Sequence, residues 1–231
     1  MKKNKIFVAC DTSNLNLVKK IIKHTKTKKL EIIPKFGLQF FYSKRGRSFL
    51  EKFNKSFFLD LKINDITQTA LSAIDSIKDL KKCKYITVHA NGGLKMLKAV
   101  KLKAKKNNKN LKVLGVTVLT SLNNKSLKEI GYTKSVEQLV LKQAGLIKKA
   151  GLYGIVLSAK EAKIVKKKYK NLFIVTPGIR LPGDKKDDQA RVVTPHEALN
   201  KNKVNAVVMG RSLIQGNIKN NIKKLIDHLS P

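Results

Sequence analysis

Short apolar runs recur along the chain, and between them apolar residues return every three or four positions. The short runs read as buried strands and the intervening stretches as amphipathic helices packed on them. The first strand is Ile6 to Cys10, ending at Asp11. Ser13 or Asn14 then caps a helix whose apolar stripe is Leu15, Val18, Ile21 and Ile22. Glu31-Ile32-Ile33-Pro34 leads into Lys35 and Gly37, and an amphipathic segment continues to about Phe53. The third strand opens at Phe57, with a helix expected from about Asp65 to Leu80. Tyr85 to Val88 ends at His89, ahead of a Gly92-Gly93 turn that starts another helix. Leu111 to Leu119 ends in Thr120-Ser121, and Tyr153 to Leu157 ends at Ser158. Leu172 to Val175 ends at Thr176-Pro177-Gly178, and Val204 to Met209 ends at Gly210-Arg211.

Strand and helix alternate throughout, and no break in composition marks a linker, so residues 1–231 read as a single domain. Eight such units in a chain of this length predict a closed eight-stranded β/α (TIM) barrel over an open doubly wound sheet. Nearly every strand ends in a polar, charged or small residue: Asp11, Lys35, Asp60 with Lys62, His89, Thr120, Ser158 and Arg211. A closed barrel gathers all such ends at one mouth, whereas an open sheet gathers only those near its switch point.

The third strand carries the densest chemistry. It runs Phe57-Phe58-Leu59-Asp60-Leu61-Lys62-Ile63, with Asp65 three residues beyond Lys62. Side chains two apart on a strand share a face, which sets the Asp60 carboxylate beside the Lys62 ammonium. An Asp-x-Lys pair is most often a solvated surface pair. Here the apolar run leading into it predicts partial burial, where charges must be paired.

Composition changes the picture in two places. Cys10 and Cys83 are far apart and match no metal or redox spacing, which predicts a reducing, cytoplasmic compartment. Met1-Lys2-Lys3 followed by Ile6 to Ala9 is too short for a signal peptide, and no stretch is long enough to span a membrane. The net charge of +35 would suit a nucleic-acid-binding protein. The lysines, however, are spread along the chain and cluster near predicted helix ends, at 26–29, 78–82, 103–106 and 166–168. Cations there complement the helix dipole on the face opposite the mouth, so much of the excess is expected as solvated rim. There is no interleaving of aromatic and basic residues, and no specific nucleic-acid partner is expected. Only five cations are arginine: Arg45, Arg47, Arg180, Arg191 and Arg211. A chain that otherwise uses lysine keeps arginine where a planar fork must grip an anion, and three of the five fall in or beside glycine-containing loops late in the chain. His24, His196 and His228 form no metal-ligand spacing, and no metal or cofactor is expected.

The string Asp60-x-Lys62-x-x-Asp65-Ile66-x-x-Thr69 resembles the signature motif of the orotidine 5′-phosphate decarboxylase family. A second long match is Thr176-Pro177-Gly178-Ile179-Arg180, then Asp188-Gln189-x-Arg191 and Thr194-Pro195, then a strand ending in Gly210-Arg211. It is similar to that family's phosphate-closing loop and last strand. Shorter matches are Ala9-Cys10-Asp11, Lys35-Phe36-Gly37, Val88-His89-Ala90 with Gly92-Gly93, and Leu119-Thr120-Ser121. Ile63-Asn64 and Thr67-Gln68 depart from the family's usual residues, between the charged positions.

The resemblance implies a cofactor-free decarboxylation of orotidine 5′-phosphate to uridine 5′-phosphate, with Lys62 as proton donor. It implies that Asp60 faces the substrate carboxylate and that Lys35 and Asp65 complete the charge network. Asp11 would bind ribose hydroxyls and Thr120 the pyrimidine edge. Arg180, Gln189, Gly210 and Arg211 would hold the phosphate side. It also implies a homodimer in which Asp65, Ile66 and Thr69 enter the partner's site. A magnesium-dependent sugar-phosphate decarboxylase or aldolase on the same barrel shares the Asp-x-Lys-x-x-Asp framework and is the alternative. A nucleic-acid-binding protein is the alternative of a different class, and it leaves the Asp60/Lys62 pair unexplained.

Overall fold

The computed structural model describes residues 3–184 and 192–230. Eight parallel strands close into a barrel in sequence order. They are β1 (Lys5–Ala9), β2 (Glu31–Gly37), β3 (Phe57–Ile63), β4 (Cys83–His89), β5 (Lys112–Val116), β6 (Gly154–Val156), β7 (Phe173–Thr176) and β8 (Ala206–Met209). Closure is made by β1 on β8, with Lys5 opposite Ala206 and Val8 opposite Met209. Parallel neighbours need a crossover, and each crossover lays helix on the outside of the barrel. In order these are α1 (Leu15–His24), α2 (Leu38–Phe41), α3 (Gly46–Lys52), α4 (Thr67–Asp75), α5 (Gly93–Asn107), α6 (Asn124–Glu129), α7 (Val136–Ala150) and α8 (Ala159–Lys168). After β8 come α9 (Arg211–Ile214) and α10 (Ile218–Leu229). A short π-helical turn, Glu197–Lys201, precedes β8.

The caps explain where helices begin. Asn14 caps α1, its Oδ1 accepting from the Leu17 N–H at 3.1 Å. Ser135 and Gln138 form a reciprocal capping box on α7. The amphipathic segment expected up to Phe53 is two helices, because the chain turns at Gly46, where a Cβ would collide with the Phe40 carbonyl. The helix expected to reach Leu80 ends as α4 at Asp75 and continues as turns.

The eight strands sort their side chains by period two. Phe7, Ile33, Phe58, Tyr85, Leu114, Val175 and Ala206 fill the barrel interior. Phe7 meets Phe58 and Tyr85 edge to face, with ring centroids 4.8 and 5.1 Å away. The alternate residues, such as Ile6, Val8, Leu59 and Ile86, pack outward under the helices. The bottom is closed by Lys5, which lies 3.3 Å from Glu31 and 3.2 Å from the Tyr85 hydroxyl.

Part of the excess charge sits where the helix-end argument places it. The loops leading into β2, β3, β4, β5, β7 and β8 carry Lys26, Lys28, Lys29, Lys55, Lys78, Lys81, Lys82, Lys109, Lys170 and Lys203, all exposed. In those loops the one acid is Asp79, which Arg47 holds at 2.6 Å. All these loops lie at the N-terminal ends of the strands, opposite the mouth. No helix among the described residues is long and apolar enough to cross a membrane.

Candidate active site

Above the apolar interior layer the same alternation brings charge into the barrel. Ile33 is followed by Lys35 on β2, Phe58 by Asp60 on β3, and Phe7 by Ala9 and then Asp11 beyond β1. Ala9, Asp11, Lys35, Phe58 and Asp60 line a cavity of about 470 Å³ at the C-terminal mouth. Its floor is Ala9, Phe58, Val156 and Val208, and its walls include Lys62, Thr120, Pro177, Gly178, Arg180, Gly210 and Arg211.

Asp11, Lys35, Asp60 and Lys62 form one chain of alternating charge. Lys35 Nζ lies 3.0 Å from both oxygens of Asp11 and 3.3 Å from Asp60 Oδ2. Lys62 Nζ donates to the same Asp60 Oδ2 at 3.0 Å. The Lys35 and Asp60 side chains are only 6% and 13% exposed, whereas Lys62 is 38% exposed. The two middle members of the network are therefore fixed by burial, and the Lys62 ammonium at one end faces the open cavity. Burial works against the charged form of Lys35, but Asp60 and Asp11 outweigh it, and its pKa stands above the ordinary lysine value. Burial also disfavours the Asp60 anion. Lys35, Lys62 and the hydrogen bonds from Lys62 and Thr87 overcome that, holding its pKa below the usual carboxylate range.

The local backbone at Lys62 is not a regular strand. The pairing of β3 with β4 passes from Leu59 opposite Ile86 to Ile63 opposite Val88, so Asp60, Leu61 and Lys62 stand opposite Thr87 alone. Lys62 has φ 49°, the left-handed region that side chains other than glycine rarely adopt. Simple alternation thus predicts the right neighbours for a reason that the backbone does not follow. The pair meets across a bulge, a device common beside active sites. Thr87, which sequence pattern did not single out, fills that bulge. Its hydroxyl donates to Asp60 Oδ1 and accepts from the Lys62 N–H, both at 2.9 Å. Gly37, part of the Lys35-Phe36-Gly37 match, has its reason here. A Cβ there would lie 2.6 Å from Asp11 Oδ1, so glycine leaves room for the carboxylate that Lys35 holds.

The other wall comes from β7, β8 and the loop beyond β5. Gly178 takes φ 76° and turns the chain after Pro177, and Arg180 follows, buried. Gly210 brings no side chain to the mouth, and Arg211 opens α9 beside it. Of the expected site residues, Asp11, Lys35, Asp60, Lys62, Thr120, Arg180, Gly210 and Arg211 therefore share one cavity. Gln189, with Asp188 and Arg191, lies outside the described residues. Asp65, Ile66 and Thr69 are exposed and do not line this chain's cavity. Asp65 Oδ1 accepts from the Ile66 N–H at 2.7 Å, and the Ile66 side chain is 73% exposed. Two of the strand-end residues do not line this cavity and serve as caps: His89, which lies with Lys62 in a neighbouring cleft, accepts from the Asn91 N–H, and Ser158 accepts from the Lys160 N–H.

The profile of the orotidine 5′-phosphate decarboxylase / HUMPS family matches residues 4–224. An orotidine 5′-phosphate decarboxylase of Wolbachia sp. subsp. Brugia malayi is 40% identical over 226 residues, covering 96% of this chain and 97% of the relative. One from Erythrobacter litoralis is 37% identical over 212 residues, covering 91% and 92%. The crystal structure of orotidine 5′-phosphate decarboxylase from Lactobacillus acidophilus superposes with a TM-score of 0.83 at 26% identity, over 100% of both chains. With the profile spanning nearly the whole chain and such relatives matching end to end, the chain belongs to the orotidine 5′-phosphate decarboxylase / HUMPS family.

Proposed function

We propose that this chain is a single barrel domain that decarboxylates orotidine 5′-phosphate to uridine 5′-phosphate, with its own side chains and no cofactor. The observation that carries the reading is the Lys35–Asp60–Lys62 chain in one cavity with Arg180 and Arg211. The names of the relatives at 37–40% identity favour this substrate over the sugar phosphates that other barrels of similar framework use. It is tested by following conversion of orotidine 5′-phosphate by ultraviolet absorbance.

In this reading the bond between the pyrimidine ring and its carboxyl group breaks and carbon dioxide departs. The electron pair stays on the ring carbon, in the ring plane, where the π system cannot spread it. Lys62 sits beside that carbon, and its ammonium stabilises the developing carbanion more than the ground state. The Nζ–H proton then moves to the carbon, completing uridine 5′-phosphate, and the neutral amine recovers a proton from water. Asp60 faces the substrate carboxylate. Lys35 holds Asp60 and Asp11 in place, and Asp11 takes the ribose hydroxyls. Thr120 reads the pyrimidine edge. Arg180, Gln189, Gly210 and Arg211 bind the phosphate, whose distant binding energy orients the base.

Arg211→Lys is expected to lower kcat/KM for the phosphorylated substrate by about tenfold or more, since a lysine keeps the charge but loses the bidentate fork. Activity toward the nucleoside without phosphate is expected to change little. Equal losses on both substrates would remove Arg211 from the phosphate site.

The working unit in this reading is a homodimer that shares its sites. Asp65, Ile66 and Thr69 face outward, and Ile66 is an exposed apolar side chain next to the mouth. Beside Lys62 lies a second cleft of about 340 Å³, lined by Asn64, Val118, Leu119, Leu122, Leu127 and Ile130 among others. Leu119 and Ile130 are exposed large apolar residues there. A partner's Asp65 entering at this edge would supply the second carboxylate for Lys62.

A further inference from the structure

A strand that carries a catalytic lysine in a left-handed conformation needs something to hold it there. Lys62 is in that position: three residues of β3 stand opposite one residue of β4, and the Lys62 φ is 49°. The ladder bonds that normally fix a strand are interrupted over this bulge. Thr87 stands in the gap. It is completely buried in the run Tyr85-Ile86-Thr87-Val88, whose other members are buried and apolar apart from the tyrosine hydroxyl. A valine would satisfy the same apolar pattern and the same strand propensity.

We propose that Thr87 is a positioning residue for the reaction, its hydroxyl holding the Lys62 backbone and the Asp60 carboxylate in one fixed arrangement. The hydroxyl has one proton and two lone pairs. Its proton goes to Asp60 Oδ1 at 2.9 Å, and a lone pair takes the Lys62 N–H at 2.9 Å. Each bond fixes the direction of the other. Asp60 then has its two oxygens divided: Oδ1 faces Thr87, while Oδ2 receives Lys62 at 3.0 Å and Lys35 at 3.3 Å. Without the hydroxyl, Oδ1 loses this donor, and the carboxylate is held by the two lysines on Oδ2, which leave its plane less fixed. The Lys62 N–H would lose its acceptor inside the barrel, and the backbone would lose the bond that offsets its strained φ. The ammonium would still be present but no longer held at the reacting carbon. The proposal rests on the decarboxylase reading for what the held lysine does, and on the geometry alone for the holding.

The test compares Thr87→Val, which keeps the shape and removes the hydroxyl, with Thr87→Ser, which keeps the hydroxyl. With orotidine 5′-phosphate, Thr87→Val is expected to lower kcat by about a hundredfold, the scale of a misplaced catalytic group. KM is expected to stay within a few fold, because the ribose and phosphate contacts come from other strands. The acid limb of kcat/KM is expected to move to higher pH. Asp60 loses a hydrogen bond that favours its anion, so it protonates sooner as pH falls. Thr87→Ser is expected to restore most of kcat and return the limb. Crystal structures of the wild type and Thr87→Val give a readout that needs no activity: Lys62 is expected to leave the left-handed region or Nζ to move away from Asp60 Oδ2. Should Thr87→Val fail to fold, Thr87→Ala against Thr87→Ser differs in the hydroxyl alone and carries the same comparison. A hydroxyl-free variant with near wild-type kcat, an unshifted acid limb and Lys62 unmoved would overturn the proposal. Wild-type protein inert toward orotidine 5′-phosphate would overturn the decarboxylase reading, and the crystal comparison would still decide whether Thr87 holds Lys62.

Discussion

Lys62→Ala is expected to reduce turnover of orotidine 5′-phosphate by about a thousandfold or more, the range seen when a group aimed at developing charge is removed. The size follows from two losses in one substitution. The ammonium that stabilises the carbanion is gone, and so is the proton that ends the reaction. The fold is expected to survive, because Asp60 keeps Lys35 at 3.3 Å and the Thr87 hydroxyl at 2.9 Å. An alanine at φ 49° is strained no more than the lysine it replaces. Binding of uridine 5′-phosphate, measured by calorimetry, is expected to persist, since phosphate and ribose are held by other residues. A folded Lys62→Ala protein with near-normal kcat would take Lys62 out of the mechanism.

Mixing Lys62→Ala protomers with Asp65→Asn protomers is expected to regenerate activity from two nearly inactive parents. If Asp65 serves the partner's site, a mixed dimer puts both defects in one site and leaves the other site intact. Random pairing makes half of all dimers mixed, so about a quarter of all sites become wild type, given a twofold-symmetric dimer. That is a large signal over parents reduced by powers of ten. Asp65 is exposed and absent from its own cavity, as this requires. If Asp65 instead acted within its own chain, every site would keep one defect. Mixed dimers, verified as mixed by mass spectrometry and showing only the parents' activity, would end the shared-site reading.

The barrel was legible because its signals are additive. Each strand announces itself as a short apolar run, and eight of them with helices between leave few other closures. The charged strand ends were legible for the same reason, since Lys35, Asp60 and Asp11 continue the inward alternation begun by Ile33, Phe58 and Phe7. Strand lengths were less so. The run expected from Leu111 to Leu119 is strand only over Lys112–Val116, and the Thr117 N–H makes the last ladder bond, to the Val156 carbonyl, which its hydroxyl also reaches. The bulge at Lys62 left no mark in the pattern, because the residues at 60–63 alternate as an unbroken strand would. Thr87 was hidden because threonine and valine look alike to hydrophobic periodicity and strand propensity. Its role rests on where one hydroxyl hydrogen points. Gly37 stands in the Lys35-Phe36-Gly37 match, but its reason is a steric one that needs Asp11 in place to be seen.

The most direct test of the central claim is the ultraviolet absorbance of orotidine 5′-phosphate incubated with the purified protein after treatment with a chelator. The charge network alone is expected to suffice, so absorbance falls at the untreated rate, the product is uridine 5′-phosphate with one equivalent of carbon dioxide, and added magnesium changes nothing. A preparation that leaves the substrate intact, or that loses its activity to the chelator and regains it with magnesium, would contradict the account.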